Sequence, residues 1–272
     1  MKNVLVTGGQ GFIGCHLVEE LKKKGCSVKT FDLKGCQDVK ENLDKYDLDN
    51  FDTVFHLAAL RGVPDSFLEP ANYFLTNVWG TYNILTKFKN VRVLNTSSSS
   101  AIKKLSPYAM TKACSELMAE SFQNTVTVRP FNVFGQRQLT DMAIPSFIRN
   151  ALIDRPSIIY GDGSITRDWT YVGDVVKEMI WYAESNFDGV YDMGYSEERS
   201  VKEILETINS YYGCTKEPIY SPGRSGDQKR SRSIEGFHVK IDGFDKGLKK
   251  TMKWFKENYY KGENIGGYFE EG

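Results

Sequence analysis

A β-branched run leads into a glycine turn in Val4-Leu5-Val6-Thr7-Gly8-Gly9-Gln10-Gly11-Phe12-Ile13-Gly14. Gly8 can make the tight turn, Gly11 lets a pyrophosphate approach the backbone, and Gly14 lets the next helix pack closely on the strand. The N-terminus of that helix supplies amide donors and a positive dipole end for phosphates. The G-x-x-G-x-x-G spacing between a strand and a helix therefore predicts a dinucleotide site that opens a Rossmann-like fold.

Beyond this turn, short apolar runs alternate with amphipathic stretches. We predict strands over Val4–Thr7, Ser27–Asp32, Thr53–Leu57, Val91–Thr96 and Thr125–Arg129, and helices over about Gly11–Lys24, Ala71–Phe88 and Pro107–Phe122. The alternation requires crossover connections, so the predicted class is α/β, with a doubly wound parallel sheet. After Phe131, glycine turns separate shorter helices such as Val201–Tyr211 and Lys246–Tyr260, which indicates a smaller C-terminal α/β domain.

Composition narrows the function classes. The 272 residues carry 35 basic and 35 acidic side chains, so no charge excess predicts a nucleic-acid or membrane partner. No apolar stretch approaches the roughly 20 residues that a membrane span needs. Five scattered cysteines and only three histidines favour reduced thiols and no metal site. We expect a cytoplasmic protein that acts on a small molecule.

Asp32 ends the second predicted strand, where a carboxylate accepts hydrogen bonds from the ribose hydroxyls of an adenosine. The same carboxylate repels a 2′-phosphate, which favours NAD over NADP. Lys34 argues the other way, because a nearby cation could tolerate that phosphate. We predict NAD as the cofactor.

Tyr108 and Lys112 share one face of a predicted helix that Ser106 caps and Pro107 opens. A free phenol has a pKa near 10 and is only about 0.1% ionised at neutral pH. A neighbouring ammonium and an oxidised nicotinamide both favour the phenolate. The pair therefore predicts a general base that takes a proton from a substrate hydroxyl.

A run of four serines, Ser97 to Ser100, ends the strand before this helix and can supply a hydroxyl that shares the substrate proton. For three of the four, a solvated loop explains their presence equally well. For Tyr108 and Lys112, the alternative is an ordinary surface pair. The strand and the serine run that precede them make this alternative less favoured.

Together these motifs resemble the extended short-chain dehydrogenase/reductase family, and in particular its nucleotide-sugar epimerases. The resemblance runs from Met1 to about Tyr260. Besides the glycine turn and the Tyr-x-x-x-Lys pair, it rests on the segments 56–59 (HLAA), 76–81 (TNVWGT), 129–135 (RPFNVFG), 160–163 (YGDG), 166–172 (TRDWTYV) and 223–227 (GRSGD). It implies an NAD-binding domain of residues 1–130 plus about 168–193. The remaining residues, 131–167 and 194–272, would form a sugar-nucleotide-binding domain.

The resemblance also implies further cofactor contacts beyond Gly8, Gly11, Gly14, Asp32, Tyr108 and Lys112. These would come from Phe12, Ile13, Asp47, Leu48, Leu57, Ala58, Ala59, Asn77 and Phe131. Asn77 could instead only brace a helix, and Asp47 could only solvate a turn. His56 is expected to be structural rather than a base.

On the substrate side, the resemblance implies a diphosphate clamp and a catalytic serine. Arg167 and Arg224 would hold the diphosphate, a role that suits a planar, permanently charged guanidinium. Asn132 and Asp227 would line the same site. The family pattern selects Ser98 as the catalytic serine, but here Ala101-Ile102-Lys103 replaces the usual turn and shortens the loop to Tyr108. Ser99 therefore stays open as an alternative.

The serine run also bears on the reaction. Related 4,6-dehydratases carry an Asp-Glu pair after the catalytic hydroxyl, whereas this chain has Ser99 and Ser100. The family pattern therefore favours a 4-epimerase that acts through a transient 4-keto sugar. A dehydratase or reductase of the same family is the first rival, and a non-catalytic NAD-binding protein is the second.

The identity of the sugar depends on Ser231, which follows the Arg-x-Gly-Asp motif and whose family position sets the room beside C2. A small residue there favours UDP-N-acetylhexosamines, ahead of UDP-hexoses and UDP-glucuronate. The family also commonly forms homodimers through two long helices, here Ala71–Phe88 and Pro107–Phe122. We expect the same pairing in this chain.

Overall fold

The computed structural model describes residues 1–223, 229–234 and 236–259. Its strands are β1 (Asn3–Thr7), β2 (Ser27–Phe31), β3 (Thr53–His56), β4 (Arg92–Thr96), β5 (Thr125–Pro130), β6 (Val133–Phe134), β7 (Ile158–Tyr160), β8 (Thr166–Arg167), β9 (Thr170–Tyr171), β10 (Gly189–Met193), β11 (Arg199–Ser200), β12 (Ile219–Ser221) and β13 (Arg230–Ser231). Its helices are α1 (Phe12–Lys23), α2 (Val63–Leu68), α3 (Pro70–Phe74), α4 (Gly80–Lys87), α5 (Ser100–Lys103), α6 (Pro107–Ala119), α7 (Ala143–Leu152), α8 (Val172–Glu184), α9 (Val201–Tyr212) and α10 (Phe244–Tyr259).

Six parallel strands form the central sheet, in the order β10-β5-β4-β3-β1-β2. The chain leaves β1 in one direction to reach β2 and then crosses to its other side to form β3. This reversal opens a crevice at the carboxyl ends of β1 and β3, the place where open α/β sheets bind ligands. The predicted fold class, a Rossmann-like doubly wound sheet, is confirmed.

Helices cover both faces of this sheet and bury two hydrophobic clusters. On one face, Leu17 and Leu21 of α1 pack with Val4 and Val6 and with the apolar side of α8. On the other face, Ile84 and Leu85 of α4 pack with Leu5. The main strands are buried on both sides, as is typical of parallel sheets.

The helix predicted over Ala71–Phe88 is interrupted. It consists of α3, a π-helical segment over Leu75–Trp79, and α4. The predicted start of the next helix is confirmed, because the Ser106 side chain accepts a hydrogen bond from the Ala109 amide and Pro107 takes the first position of α6. None of the helices in the described ranges is long and apolar enough to cross a membrane.

Small sheets follow the main one in the second half of the chain. β8 pairs in parallel with β13 and antiparallel with β11, and in this register Arg167 lies opposite Ser231. β6 pairs with β9, which ties the segment after β5 to the start of α8. β10 returns to the edge of the main sheet. The exact boundary between two domains stays a prediction.

Candidate active site

The glycine turn is held closed by backbone contacts. Gly8 has φ +67°, in the left-handed region, and a Cβ there would lie 2.8 Å from the Ala58 amide nitrogen. A Cβ on Gly14 would lie 2.1 Å from the Gly8 carbonyl oxygen. Glycine is therefore required at both positions, first for the turn and then for the approach of α1 to β1.

Gly11 has a different environment, which suits a cofactor phosphate. In the described part of the chain, a Cβ on Gly11 would meet only the Gly8 carbonyl oxygen, at 3.2 Å. Gly11 is also the N-cap of α1, and no side chain of the described residues caps that helix. An exposed glycine beside uncapped amides and a positive helix end fits the pyrophosphate of a dinucleotide.

Asp32 lies beside this turn. Its carboxylate accepts hydrogen bonds from the Gln10 amide, at 2.9 Å, and from the Lys34 amide, at 3.2 Å. The Lys34 backbone therefore helps to hold the Asp32 carboxylate, the group that the sequence predicts to favour NAD over NADP. The acid is half-buried, and its contact with a cofactor ribose stays a prediction.

His56, at the end of β3, is a structural residue. Its Nδ1 lies 2.7 Å from the Thr7 hydroxyl and its Nε2 lies 3.0 Å from the Thr81 hydroxyl. Burial, with the nearby charge of Lys112, lowers the pKa of His56 to about 3. The imidazole is therefore neutral at physiological pH but a very weak base, and both of its ring nitrogens are already engaged by hydroxyls.

Tyr108 and Ser98 meet at the carboxyl edge of the sheet. The Ser98 hydroxyl accepts a hydrogen bond from the Ser100 amide at 3.2 Å and acts on the nearby phenol, while Ser99 is buried and donates its amide to the Pro130 carbonyl. Burial raises the pKa of Tyr108, and the Ser98 hydrogen bond and the Arg61 charge oppose that rise. The lowered pKa expected from the sequence is thus not produced by the protein groups around the phenol, because the cost of desolvation outweighs them.

Lys112 lies one turn beyond Tyr108 and is 6% exposed. Its ammonium donates to the Thr96 carbonyl oxygen at 2.7 Å, which anchors α6 to the end of β4. Burial lowers the pKa of Lys112 to about 8, and the charge of Glu116 counteracts part of this shift. The ammonium is therefore mostly charged at neutral pH.

Arg61 was not predicted as a site residue. It follows β3, its guanidinium acts on the Tyr108 phenol, and it pairs with Asp141 at 3.2 Å. Tyr73 donates its hydroxyl to the Arg61 carbonyl and packs edge-to-face on Tyr108, with ring centroids 6.3 Å apart. Its position two residues after the His-Leu-Ala-Ala segment carries no distinctive sequence signal.

Asn77 connects three parts of the site. Its amide donates to the Leu60 carbonyl and to the Thr111 hydroxyl, each at 3.0 Å, and its oxygen accepts from the Leu60 amide at 2.8 Å. The side chain is 1% exposed. It braces the loop after β3 against α6, the alternative that the sequence left open.

The other predicted cofactor residues divide by burial. Five of them are partly exposed: Phe12, Ile13, Leu57, Ala58 and Ala59. Leu48 and Phe131 are fully enclosed in the core, so only their backbones could face a ligand. The Asp47 side chain is 89% exposed and pairs with Lys29 at 3.6 Å.

Residues predicted for the substrate lie in the segments after β5. Asn132 has φ +34° and donates its amide to the Asp168 carbonyl at 3.2 Å. Arg167 is half-buried and donates to the Thr166 carbonyl at 2.9 Å. The predicted Arg224 and Asp227 lie outside the described residues.

Two buried side chains near these segments have polar atoms without a hydrogen-bond partner among the described residues. They are the Ser231 hydroxyl and the Gln138 side-chain oxygen. The Gln138 amide donates to the Val133 carbonyl at 2.7 Å, and the side chain is 8% exposed. Sequence reasoning did not single out Gln138, since a glutamine in a loop carries no distinctive signal.

The sequence profile of the NAD dependent epimerase/dehydratase family matches residues 4–194. The chain belongs to this family. Membership confirms the resemblance to extended short-chain dehydrogenase/reductases, the assignment as an enzyme, and NAD as the cofactor.

Individual members of the epimerase/dehydratase family match nearly end to end. A UDP-N-acetyl-alpha-D-glucosaminuronate decarboxylase of Bacillus cytotoxicus is 31% identical, over 94% of this chain and 98% of that protein. The structure of a UDP-N-acetylglucosamine 4-epimerase from Methanobrevibacter ruminantium M1, in complex with UDP-N-acetylmuramic acid, is 32% identical with a TM-score of 0.85, covering 94% and 99% of the two chains. A UDP-glucose 4-epimerase of Thermus thermophilus, in complex with NAD, is 28% identical with a TM-score of 0.83, covering 93% and 99%.

Proposed function

We propose that the protein is an NAD-dependent nucleotide-sugar 4-epimerase that acts through a transient 4-keto sugar. The observation that carries the proposal is that Ser98, Tyr108 and Lys112 come together at the carboxyl edge of the sheet, where Ser98 acts on the phenol and the Lys112 ammonium donates to the Thr96 carbonyl. Family membership and the epimerase relatives support the same reaction.

The chain's own residues handle the proton. Tyr108 takes the proton from the sugar 4-hydroxyl, Ser98 shares it through its hydroxyl, and Lys112 stabilises the phenolate by its charge. Bound NAD supplies the hydride acceptor and donor, together with a positive ring that favours the phenolate. Tyr108 returns the proton once the sugar has presented its other face.

The sugar must turn while its diphosphate stays held, and we assign the grip to Arg167 and Arg224. Ser231, small and opposite Arg167 in the strand register, favours room for a 2-acetamido group. The buried oxygen of Gln138 and the Ser231 hydroxyl are candidate acceptors for sugar or amide protons. The preferred substrates are UDP-N-acetylhexosamines, followed by UDP-hexoses.

The dehydratase alternative is less well supported. Removal of water across C5 and C6 requires acid–base groups beside the catalytic hydroxyl, and the chain has Ser99 and Ser100 there. A serine hydroxyl can share a hydrogen bond but, unlike a carboxyl group, does not act as a general acid or base at neutral pH. One of the similar proteins is a decarboxylase, so the products have to be assayed directly.

A homodimer is part of the proposal. Leu75, Trp79 and Tyr82 are between 40% and 46% exposed, and Trp79 stacks on Tyr82 with ring centroids 5.1 Å apart. Met110 and Leu117, on the adjacent α6, are 49% and 65% exposed. An apolar surface of this kind favours self-association. A cytoplasmic location also stays a prediction.

The test is incubation with a panel of UDP-, GDP- and dTDP-sugars without added oxidant, followed by NMR of the products. We expect interconversion of a UDP-sugar with its 4-epimer and no net reduced cofactor. Loss of water or of carbon dioxide from the sugar, or stoichiometric consumption of NADH, would overturn the epimerase assignment.

A further inference from the structure

A buried ion-pair cluster lies directly behind the proposed catalytic residues. Glu116 of α6 is 5% exposed and accepts two hydrogen bonds from Arg129 of β5, at 2.8 and 2.7 Å. The Ser97 hydroxyl donates to the same carboxylate at 2.5 Å. On its other side, Arg129 approaches the Asp192 carboxylate of β10 at 3.6 Å.

Lys112 belongs to the same electrostatic group, because it lies one helical turn before Glu116 on the same face of α6. Four other groups face Lys112 or its phenol partner. These are the Thr96 carbonyl from β4, neutral His56 from β3, Tyr108 from α6 itself, and Arg61, which acts on Tyr108 from the loop after β3. Glu116 contributes the negative charge that acts on Lys112.

We propose that Glu116 is a positioning residue for the reaction, which keeps Lys112 protonated and fixes the end of β4 that carries Ser98. The inference rests on the proposed function only for its catalytic consequence. Glu116 touches Ser97 and Arg129 and acts on the substrate only through Lys112 and the neighbouring serine.

Charge balance is the reason. Lys112 and Arg129 carry two positive charges and Glu116 and Asp192 two negative ones, so the buried cluster is neutral. Replacing Glu116 by glutamine leaves one net positive charge in a low-dielectric interior, which is costly. Arginine cannot lose its proton there, whereas a buried lysine does so readily. Lys112 therefore absorbs the imbalance and becomes neutral at a lower pH.

The direct experiment is an NMR titration of protein with 13C-labelled lysine side chains from about pH 6 to about pH 10, with the Lys112 signal assigned by its loss in Lys112→Arg. In the wild type we expect a midpoint near the Lys112 pKa of about 8. In Glu116→Gln we expect the midpoint to fall by about one pH unit. Glu116→Asp, which keeps the negative charge, should return the midpoint most of the way to its wild-type value.

Glu178→Gln is the matched control, since Glu178 is another buried helical glutamate, paired with His238 at 2.6 Å and remote from Lys112. It should leave the Lys112 midpoint unchanged. If Glu116→Gln does not fold, Asp192→Asn adds the same net charge from β10 and should shift the midpoint in the same direction by less. An unshifted midpoint in the folded variant overturns the proposal.

Turnover gives the catalytic readout. The alkaline limb of the kcat profile should move to lower pH in Glu116→Gln by the same amount as the NMR midpoint. Because the NMR titration needs no substrate, a shifted midpoint in a protein that epimerises no sugar would refute the proposed function and leave the electrostatic role intact. A shifted midpoint with an unmoved alkaline limb would refute the catalytic role of Glu116.

Discussion

At the scale of single residues, Tyr108 is the group on which the proposed chemistry depends. Ser98 and Arg61 both act to lower the pKa of its phenol, yet burial outweighs them and raises that pKa. The protein therefore holds the phenol protonated until further positive charge is present. This arrangement suits a base that is needed only once cofactor and sugar are both bound.

Tyr108→Phe should reduce turnover by about 10²–10⁴-fold, because the proton acceptor is lost while the ring is kept. NAD affinity, measured by calorimetry, should change little. Tyr73→Phe is the comparison, since it removes only the hydroxyl that donates to Arg61 and should cost about fivefold. Equal activity of Tyr108→Phe and wild type would contradict the assignment.

His56 predicts a dependence of stability on pH. Its folded pKa of about 3 lies below the ordinary value of 6.5, so the unfolded chain binds the proton first as pH falls. The stabilisation from the neutral imidazole is complete above about pH 6.5 and is lost toward pH 3, by about 1.4 kcal/mol per pH unit within that window.

Urea unfolding at about pH 6.5 and about pH 4.5 measures this contribution. His56→Gln cannot take up the proton, so its free energy of unfolding should fall less between the two pH values than that of the wild type. Contributions from other titrating groups cancel in the difference. Parallel losses in both proteins would show that the His56 pKa is not strongly lowered.

At the scale of elements, two glycines of the turn between β1 and α1 have different roles, Gly14 in folding and Gly11 in cofactor binding. Gly14→Ala should destabilise the protein by about 1–3 kcal/mol, because its Cβ would overlap the Gly8 carbonyl oxygen. Gly11→Ala brings its Cβ to 3.2 Å from the same oxygen, a much milder contact, so it should cost less stability than Gly14→Ala, but it should weaken NAD binding about tenfold or more. Denaturation and NAD titration together distinguish the two, and unchanged NAD affinity in Gly11→Ala would count against the phosphate site.

Elements with strong local signals could be predicted from the sequence. The glycine turn, the alternating strands and the Ser106-Pro107 helix start each follow from backbone chemistry close to the residues concerned. The helices α7 and α8 were not predicted, and the π segment before α4 was read as ordinary helix. In that segment Asn77 bonds to Leu60 and Thr111, contacts between distant parts of the chain that local periodicity does not contain.

The candidate site could likewise be predicted only in part from the sequence. Tyr108, Lys112 and the serine run carry a recognisable spacing, and their position at one sheet edge follows from the parallel topology. Arg61, Gln138 and Arg129 have no such spacing, and Glu116 continues the four-residue spacing of Tyr108 and Lys112 without revealing its partner. Their relevance depends on which charges are buried together and on which polar atoms are left without partners, and both arise only after folding.

At the scale of the whole molecule, the proposed dimer surface on α4 and α6 can be tested by light scattering. Leu117→Arg should convert a particle with twice the mass of one chain into a monomer, because a charge would be buried at the apolar contact. Tyr211→Arg, at a residue that is 50% exposed on α9, should leave the dimer intact. A wild-type monomer at micromolar concentration, or a dimer insensitive to Leu117→Arg, would argue against this surface.

The proposed function requires that C4 of the sugar is oxidised and reduced again within one binding event. The decisive experiment is incubation with a UDP-sugar deuterated at C4, followed by NMR of the product. We expect a 4-epimer that keeps the deuterium at C4, in the absence of added cofactor. A product that has exchanged this deuterium for solvent hydrogen, or that has lost water or its carboxyl group, would contradict the proposed reaction.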